Sequence, residues 1–386
     1  MTVSPLFRFS RRVLGAALLS TLLVGCTGTQ EPALDVRLGL ITDGGQTLGY
    51  ADQLATPDGA VTARFTRATP LATDPNGAGK GVGLLNLNSG SNAILTTTNA
   101  AQLLDANLSN PQPFNSLNVA YTPSPCLIKS VLSPTGDRLL TLSDCQGNQK
   151  VALFNVNRTL IWYANLSART ASPTGNDTPP TRIAVLGDVG IVARPALGGG
   201  SEVIRVAPRT PTGDPAQDLI AVVGDPLPSM SIRDLAAVAG SPSVIYAATD
   251  SGVRPLQATG VPDASSGTNS QVAFGSARVD RLWSGLGGSR RVLAAWRDNE
   301  ASGNGSEPLR LWDVARTTAV TVANFSSVRD LTFDLNGQLY VLTRKVLSRY
   351  DTSLGFQQGS WNGKTLLTTL NDPQAITWLI APVTDK

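Results

Sequence analysis

The chain has 386 residues, of which 41% are hydrophobic and 15% are charged, and its formal net charge is +3. It contains no histidine, which excludes Ser-His-Asp and Cys-His catalysis and any zinc site with histidine ligands. Lysine and arginine do not form long runs, so the sequence shows no electrostatic footprint for nucleic acid and no polybasic membrane patch.

The N-terminal segment has the features of a secretory signal peptide. A short basic region carries Arg8, Arg11 and Arg12, and an apolar stretch follows at 13–24. That stretch is shorter than the ~20 residues that a permanent transmembrane helix needs. The segment ends on Leu23–Cys26 (Leu-Val-Gly-Cys), where small residues lead into a cysteine. This ending resembles the lipobox of bacterial lipoproteins.

The lipobox resemblance implies a lipid anchor on Cys26. In that family the cysteine thiol is acylated with diacylglycerol, the peptide is cut before the cysteine, and the new N-terminus is usually acylated as well. Two acyl chains hold a protein stably on a membrane, whereas one chain gives marginal binding. Thr27 stands where some lipoproteins carry an inner-membrane-retaining Asp, which favours the outer membrane if the cell has one. The alternative is an ordinary signal peptide with a chance cysteine.

This interpretation divides the chain into a signal peptide at 1–25, a lipidated cysteine with a polar linker at 26–33, and one domain at 34–386. The signal holds three Arg and no acid, so the remainder has 28 basic and 28 acidic residues and a net charge of zero. Ser10–Leu14 also resembles a segment of the twin-arginine export motif, although Gly15 stands where that motif has an apolar residue. Both export routes therefore stay open.

The two cysteines beyond the anchor are Cys126 and Cys145. An even number of cysteines in an exported domain indicates a disulfide, because the compartment is oxidising. We therefore predict one bridge between them. Two buried free thiols are the alternative.

The domain is predicted to be all-β. Turn-forming residues, including 37 Gly and 25 Pro in the whole chain, separate short apolar runs that are rich in Val, Leu and Ile and often alternate with polar residues. A strand followed by a polar turn recurs along the chain. Close copies lie at Val151–Thr159, Val203–Thr210 and Leu309–Thr317, and looser ones lie at Leu84–Gly90, Val253–Gly260 and Leu347–Thr352.

Further strands precede most copies, and three or four strands per repeat are typical of a β-propeller blade. Gly337–Val341 resembles the blade hairpin of NHL- and gluconolactonase-type propellers, and Leu309–Val314 resembles the end of a WD repeat. The WD histidine has no counterpart here. Six copies are visible, and pairing the C-terminal strand at Ala375–Ile380 with the strands near Val36–Leu40 and Val61–Phe65 would close a seventh blade. We favour seven blades over six or eight; two β-sandwich domains are the alternative fold.

Three aspartates recur before equivalent leucines, in Ser231–Leu235, Arg278–Leu282 and Ser327–Leu331. We expect Asp234, Asp280 and Asp330 to cap turns or to pair with a neighbouring blade, and alternatively to form a ring of ligand contacts near the central channel.

Two further features are weaker ligand candidates. The oxygen-rich loop at 297–307 contains Asp298 and Glu300, and calcium prefers such oxygens, although the spacing does not follow a known calcium-loop order. A solvated loop is the favoured interpretation, and no cofactor is predicted. Trp361 lies in a glycine-rich stretch and is the tryptophan expected to be exposed and to contact a ligand.

These features predict a non-catalytic, membrane-anchored envelope protein whose propeller binds or scaffolds a protein or glycan partner. The alternative is a lactonase-like or sugar-processing enzyme that works through carboxylates and a bound metal. That alternative needs several carboxylates to converge on the channel, because histidine is absent.

Overall fold

The computed structural model describes residues 35–52, 54, 63–71, 79–87, 89–122, 124–168, 177–299 and 305–381. The predicted signal, Cys26, the 26–33 linker and Glu300 lie outside the described residues. The residues from Leu34 to the C-terminus form one compact unit. No helix in the described ranges has the length and hydropathy that a membrane span requires.

The described residues form 28 strands and a few short helices. In chain order the strands are β1 (Val36–Thr42), β2 (Thr47–Asp52), β3 (Arg64–Pro70), β4 (Gly81–Asn86), β5 (Asn92–Thr97), β6 (Ala101–Asp105), β7 (Gln112–Pro113), β8 (Leu127–Leu132), β9 (Arg138–Cys145), β10 (Asn148–Asn155), β11 (Leu160–Asn165), β12 (Arg182–Leu186), β13 (Val189–Pro195) and β14 (Ser201–Ala207). They continue as β15 (Val222–Val223), β16 (Leu227–Ser229), β17 (Ile232–Val238), β18 (Val244–Thr249), β19 (Gly252–Pro255), β20 (Arg281–Gly287), β21 (Arg290–Trp296), β22 (Glu307–Asp313), β23 (Val320–Phe325), β24 (Asp330–Phe333), β25 (Gln338–Leu342), β26 (Leu347–Asp351), β27 (Lys364–Leu367) and β28 (Ala375–Ile380). The helices are a 3-10 turn at Asp43–Gly45 and α1 (Leu117–Ala120), α2 (Pro215–Asp218), α3 (Asn269–Phe274) and α4 (Thr352–Gln358).

The strands build seven antiparallel sheets arranged as the blades of a ring. Six blades follow the chain as β4–β7, β8–β11, β12–β16, β17–β19, β20–β23 and β24–β27, and the seventh combines β28 with β1–β3. The predicted seven-bladed propeller is therefore confirmed, and the two-sandwich alternative is wrong.

The seventh blade joins the two ends of the chain. Strand β28 pairs with β1 in antiparallel register, from Val36 opposite Ile380 to Ile41 opposite Ala375. This closure is the one that the unpaired terminal strands predict. Neither terminal strand is therefore left without a partner.

Hydrophobic clusters lie between neighbouring blades, because each blade is covered on both faces. One cluster contains Leu140 of β9, Val151 of β10 and Trp162 of β11 together with Val185 of β12 and Val192 of β13. Two-sided burial explains why many strands contain continuous apolar runs, and β21 buries its last five residues in sequence. The stability of each blade therefore depends on its neighbours.

One detail of the repeat differs from the prediction, and one blade has three strands, as the prediction allows. The loose copy at Leu84–Gly90 is the innermost strand β4 and its turn; the third strand of that blade is β6. An innermost strand and a third strand are both followed by a hairpin turn, so the local pattern is the same. The blade β17–β19 has three strands, and α3 packs beside β19, where the Ser270 hydroxyl donates to the Val253 carbonyl at 2.8 Å.

The predicted disulfide between Cys126 and Cys145 is present, with an S–S distance of 2.06 Å. It joins the segment just before β8 to the last residue of β9. The bridge thus links the innermost strand β8 to the second strand β9 of the same blade.

Candidate functional site

The innermost strands of the seven blades surround a central channel with a cavity of about 490 Å³. Each of these strands pairs with a neighbour on one side only, so its free edge presents peptide N–H and C=O groups to the channel. Small side chains on the lining keep the channel open, among them Gly83, Ser130, Ala237, Ser284 and Thr332. The volume is within the range of pockets that bind small molecules.

Six charged side chains of the channel lining lie at or near the starts of five innermost strands, and we call this set the charged mouth. They are Lys129 of β8, Arg182 of β12, Asp234 of β17, Arg281 of β20, Arg329 just before β24 and Asp330 of β24. Four of them are cations and two are carboxylates. The charged mouth is therefore electropositive when all six are ionised.

Asp234 is buried and holds two blades together. Its Oδ2 accepts a hydrogen bond from the backbone N–H of Leu282 in the next blade at 3.0 Å, and its Oδ1 accepts from the N–H of Leu235 at 3.1 Å. The guanidinium Nε atoms of Arg182 and Arg281 lie 3.3 Å and 3.7 Å from the two carboxylate oxygens. Both oxygens are therefore occupied by donors of the protein.

Asp330 makes the equivalent contacts on another innermost strand, β24. Its Oδ2 accepts from the backbone N–H of Ile376 in the closing blade at 3.0 Å, and its Oδ1 accepts from the Trp283 indole N–H at 2.9 Å. Burial raises the pKa of the Asp330 carboxyl above its usual value, and the hydrogen bond from Ile376 opposes this effect. The expectation that these repeated aspartates pair with a neighbouring blade describes both residues.

The cations of the charged mouth differ in their partners, and the Arg182 Nε also donates to the Arg233 carbonyl at 3.0 Å. Arg281 donates to the Arg329 carbonyl at 3.1 Å and lies over the Trp283 ring, while its buried Nε has no hydrogen-bond acceptor. Lys129 is half-buried and makes no hydrogen bond or ion pair within the described structure. Burial lowers the pKa of the Lys129 ammonium, as do Arg182 and Arg281, whereas Asp234 and Asp330 raise it.

Asp280 is not equivalent to the other two aspartates, and it does not line the channel. The three segments can be aligned on the leucine that ends each of them. In this alignment Arg281 stands at the position of Asp234 and Asp330, and Asp280 stands at the position of the arginine that precedes those two aspartates. Asp280 instead lies 2.8 Å from Arg278 and 3.3 Å from Arg233 of the preceding blade. Asp280 therefore fits the favoured expectation of a pair with a neighbouring blade, and the alternative ring of three aspartates near the channel does not include it.

The other predicted ligand residues lie away from the channel lining. The backbone N–H of Asp298 donates to Asp280 at 3.0 Å, and no cluster of three or more Asp, Glu, His or Cys side chains is present in the described ranges. Trp361 is half-buried and packs edge-to-face on Phe356 of α4, with ring centroids 5.5 Å apart. Its predicted exposure is thus only partial.

Sequence reasoning missed the cations Lys129, Arg182 and Arg281. Two signals were available: a lysine inside the mostly apolar Leu127–Leu132 run, and an arginine where two other blades have aspartate. Neither signal reveals that these side chains meet, because they come from three different blades.

The opposite opening of the channel, which we call the far mouth, has a different character. Leu286 near the end of β20 and Leu335 after β24 line it and are 44% and 42% exposed. The described chain also begins at this end, since Val36 pairs with Ile380 at the end of β28. The two ends of the channel therefore differ in charge and in their distance from Val36, near the start of the described residues.

No protein-family model and no curated protein matches the sequence. Among solved structures, the chain is similar to a putative 6-phosphogluconolactonase from Bacteroides fragilis (12% identity, TM-score 0.54, 90% of this chain and 98% of that one). It is also similar to a putative 6-phosphogluconolactonase from Bacteroides uniformis (13%, 0.54, 89% and 99%) and to a protein of unknown function from Desulfotomaculum acetoxidans (10%, 0.54, 89% and 99%). At these identities the similarity shows the propeller fold alone.

Proposed function

We propose that the protein is a membrane-anchored envelope lipoprotein whose propeller is a non-catalytic binding module, with the charged mouth as its binding site. The observation that carries the proposal is the difference in partners between the carboxylates and the lysine of the charged mouth. Asp234 and Asp330 are engaged by backbone and side-chain donors, whereas Lys129 has no partner among the described residues. A site with satisfied carboxylates and an unsatisfied cation favours binding.

The carboxylate-based enzyme is less well supported by the same geometry. It needs carboxylates that are free to transfer protons or to hold a metal. Of the two at the charged mouth, Asp234 accepts from Leu235 and Leu282, and Asp330 accepts from Trp283 and Ile376. Each carboxylate already accepts two hydrogen bonds that serve the fold, so fewer of its lone pairs are available to a proton or a metal.

The position at which the N-terminal part of the described chain joins the propeller supports an anchored binding module. The backbone carbonyl of Asp35 accepts a hydrogen bond from the Ala381 N–H at 2.8 Å, beside the far mouth. A tether that precedes Asp35 attaches to the propeller on that side. The charged mouth then lies on the opposite face of the propeller from the attachment point, where it is accessible to a protein, glycan or solute partner.

The proposal is tested by blocking the channel. Ser284 is exposed on the lining, so Ser284→Trp fills the channel without displacing core residues, and Ser289→Trp in the exposed turn of the same blade is the matched control. The detergent-extracted full-length proteins are incubated with an envelope extract, washed and analysed by mass spectrometry for retained and converted compounds.

We expect wild type and Ser289→Trp to retain a compound that Ser284→Trp does not retain, with no compound converted. Equal retention by all three proteins would show that the channel is not the binding site. Conversion of a compound by wild type and not by Ser284→Trp would establish the enzyme instead.

A further inference from the structure

We propose that the charged mouth recognises a small polyhydroxylated organic anion, such as a sugar acid or a sugar phosphate, through an oxyanion held by Lys129, Arg182 and Arg281. The inference rests on the proposed function, because it names the ligand class of the same site. It follows from the charge, the partners and the channel lining, each of which restricts the ligand.

The net charge restricts the ligand to an anion. Four cations face two carboxylates at the charged mouth, and over the whole lining Arg291 and Asp334 add one charge of each sign. The excess positive charge is therefore not neutralised further along the channel. An oxyanion in the charged mouth would balance it in a partly desolvated place, where electrostatic attraction is stronger than in water.

The positions of the cationic donors show where the oxyanion binds. Lys129 supplies three N–H donors without an acceptor in the described structure, and the Nε atoms of Arg182 and Arg281 flank the shared Asp234. The planar guanidinium groups suit the planar carboxylate and the tetrahedral phosphate equally, so the shared chemistry is the oxyanion. Asp234 fixes both arginines while leaving Lys129 to the ligand.

The rest of the channel restricts the body of the ligand. The free edges of the innermost strands present peptide N–H and C=O groups, and Thr332 and Ser284 add hydroxyl groups, the latter already donating to the Ala237 carbonyl at 2.7 Å. A ligand that displaces water from these groups must offer hydrogen-bonding groups in return, because unpaired polar groups cost free energy. Hydroxyl groups along the ligand meet this requirement, and an apolar chain does not.

The test is calorimetric titration of the full-length protein in detergent with D-gluconate, glucose 6-phosphate and glucose. We expect at least one of the two anions to bind at least tenfold more tightly than glucose, with affinity that falls as the salt concentration rises. Tighter binding of gluconate identifies the carboxylate, and tighter binding of glucose 6-phosphate identifies the phosphate.

Three variants assign the effect to the charged mouth. Lys129→Met should weaken anion binding at least tenfold, Lys129→Arg should retain most of it, and Lys364→Met on the outermost strand β27 should bind as wild type does. Equal affinity for glucose and the anions, or an unchanged affinity in Lys129→Met, would overturn the ligand class. In that case the proposed binding function would still stand if Ser284→Trp abolishes retention of the compound. If Ser284→Trp retains the compound as wild type does, the proposed function and the ligand class would both be wrong.

Discussion

Asp234 and Leu282 belong to neighbouring blades, and the Asp234 Oδ2 accepts a hydrogen bond from the Leu282 backbone N–H at 3.0 Å. Asp330 and Ile376 repeat the arrangement between the innermost strands β24 and β28, also at 3.0 Å. The free edge of an innermost strand cannot be satisfied by its own blade. A carboxylate from the adjacent blade supplies the missing acceptor and joins the blades at the channel wall.

We expect Asp330→Asn to lower the free energy of unfolding by about 1–3 kcal/mol, the cost of leaving a buried donor unsatisfied. The amide offers one acceptor oxygen where the carboxylate offers two, so either Ile376 or Trp283 loses its partner. Urea unfolding followed by tryptophan fluorescence measures the change. Asp225→Asn, at an exposed carboxylate, is the control and should change the stability by less than about 0.5 kcal/mol. Identical midpoints for both variants would contradict the role of Asp330.

Lys129→Met should stabilise the fold by about 1 kcal/mol at neutral pH, because it removes the desolvation cost of a half-buried charge that has no ion-pair partner among the described residues. Lys129 faces Arg182 and Arg281 as well as Asp234 and Asp330, and it forms no ion pair with the described residues. A residue that weakens the fold where it lies is the expected signature of a binding group. Urea unfolding at pH 7 measures the change.

The pH dependence of the unfolding free energy provides a second comparison of wild type with Lys129→Met. The folded-state pKa of Lys129 lies below its usual value of 10.5, so between these two values the unfolded chain binds more protons and wild-type stability rises with pH. The advantage of Lys129→Met should be full below the folded-state pKa and should disappear as the pH approaches 10.5. A constant difference between the two proteins up to that pH would show that the lysine charge is not responsible.

Replacing both disulfide cysteines, as Cys126→Ser with Cys145→Ser, should lower the free energy of unfolding by about 3 kcal/mol on the chain-entropy model. The bridge closes a loop with a sequence separation of 19 and fixes the entry to β8. Thermal unfolding with and without reductant measures the effect. Reductant should lower the wild-type midpoint to that of the double variant and leave the variant unchanged; a midpoint insensitive to reductant would contradict a stabilising bridge.

Cys26→Ser should move the protein from the membrane fraction to the soluble fraction, because the thiol that carries the diacylglycerol is lost. Membrane fractionation followed by immunoblotting measures the distribution. The double variant at Cys126 and Cys145 is the matched control and should stay with the membrane. Membrane retention of Cys26→Ser would show that a lipid on this residue is not the anchor.

Much of the fold could be predicted because short-range sequence patterns indicate its strands and turns. Short alternating strands with turn residues indicated an all-β chain, and the unpaired ends at Val36–Leu40 and Ala375–Ile380 predicted the closing blade. Reliance on short-range patterns also caused the wrong assignment of one strand. Leu84–Gly90 has the strand-turn pattern of a third strand, but it is an innermost strand, because both kinds of strand end in a hairpin.

The candidate site could be predicted only incompletely. Asp234 and Asp330 stood out because their sequence neighbourhoods are nearly identical, whereas Arg281 was missed because the order of charges at that blade is reversed. Exchanging Asp and Arg between adjacent positions sends each side chain to the opposite face of the strand. At β20 the exchange places the Arg281 guanidinium where β17 and β24 have the carboxylates of Asp234 and Asp330.

The sequence by itself determined the strand content, the absence of histidine chemistry and the single pair of cysteines in the domain, because these depend on residue types and on short-range spacing. Only the tertiary structure decided which charges meet. Lys129, Arg182, Asp234, Arg281 and Asp330 come from five different blades, and the closed ring brings their strand starts to one end of a channel. Their electrostatic interaction depends on distances across that channel, which no local pattern encodes.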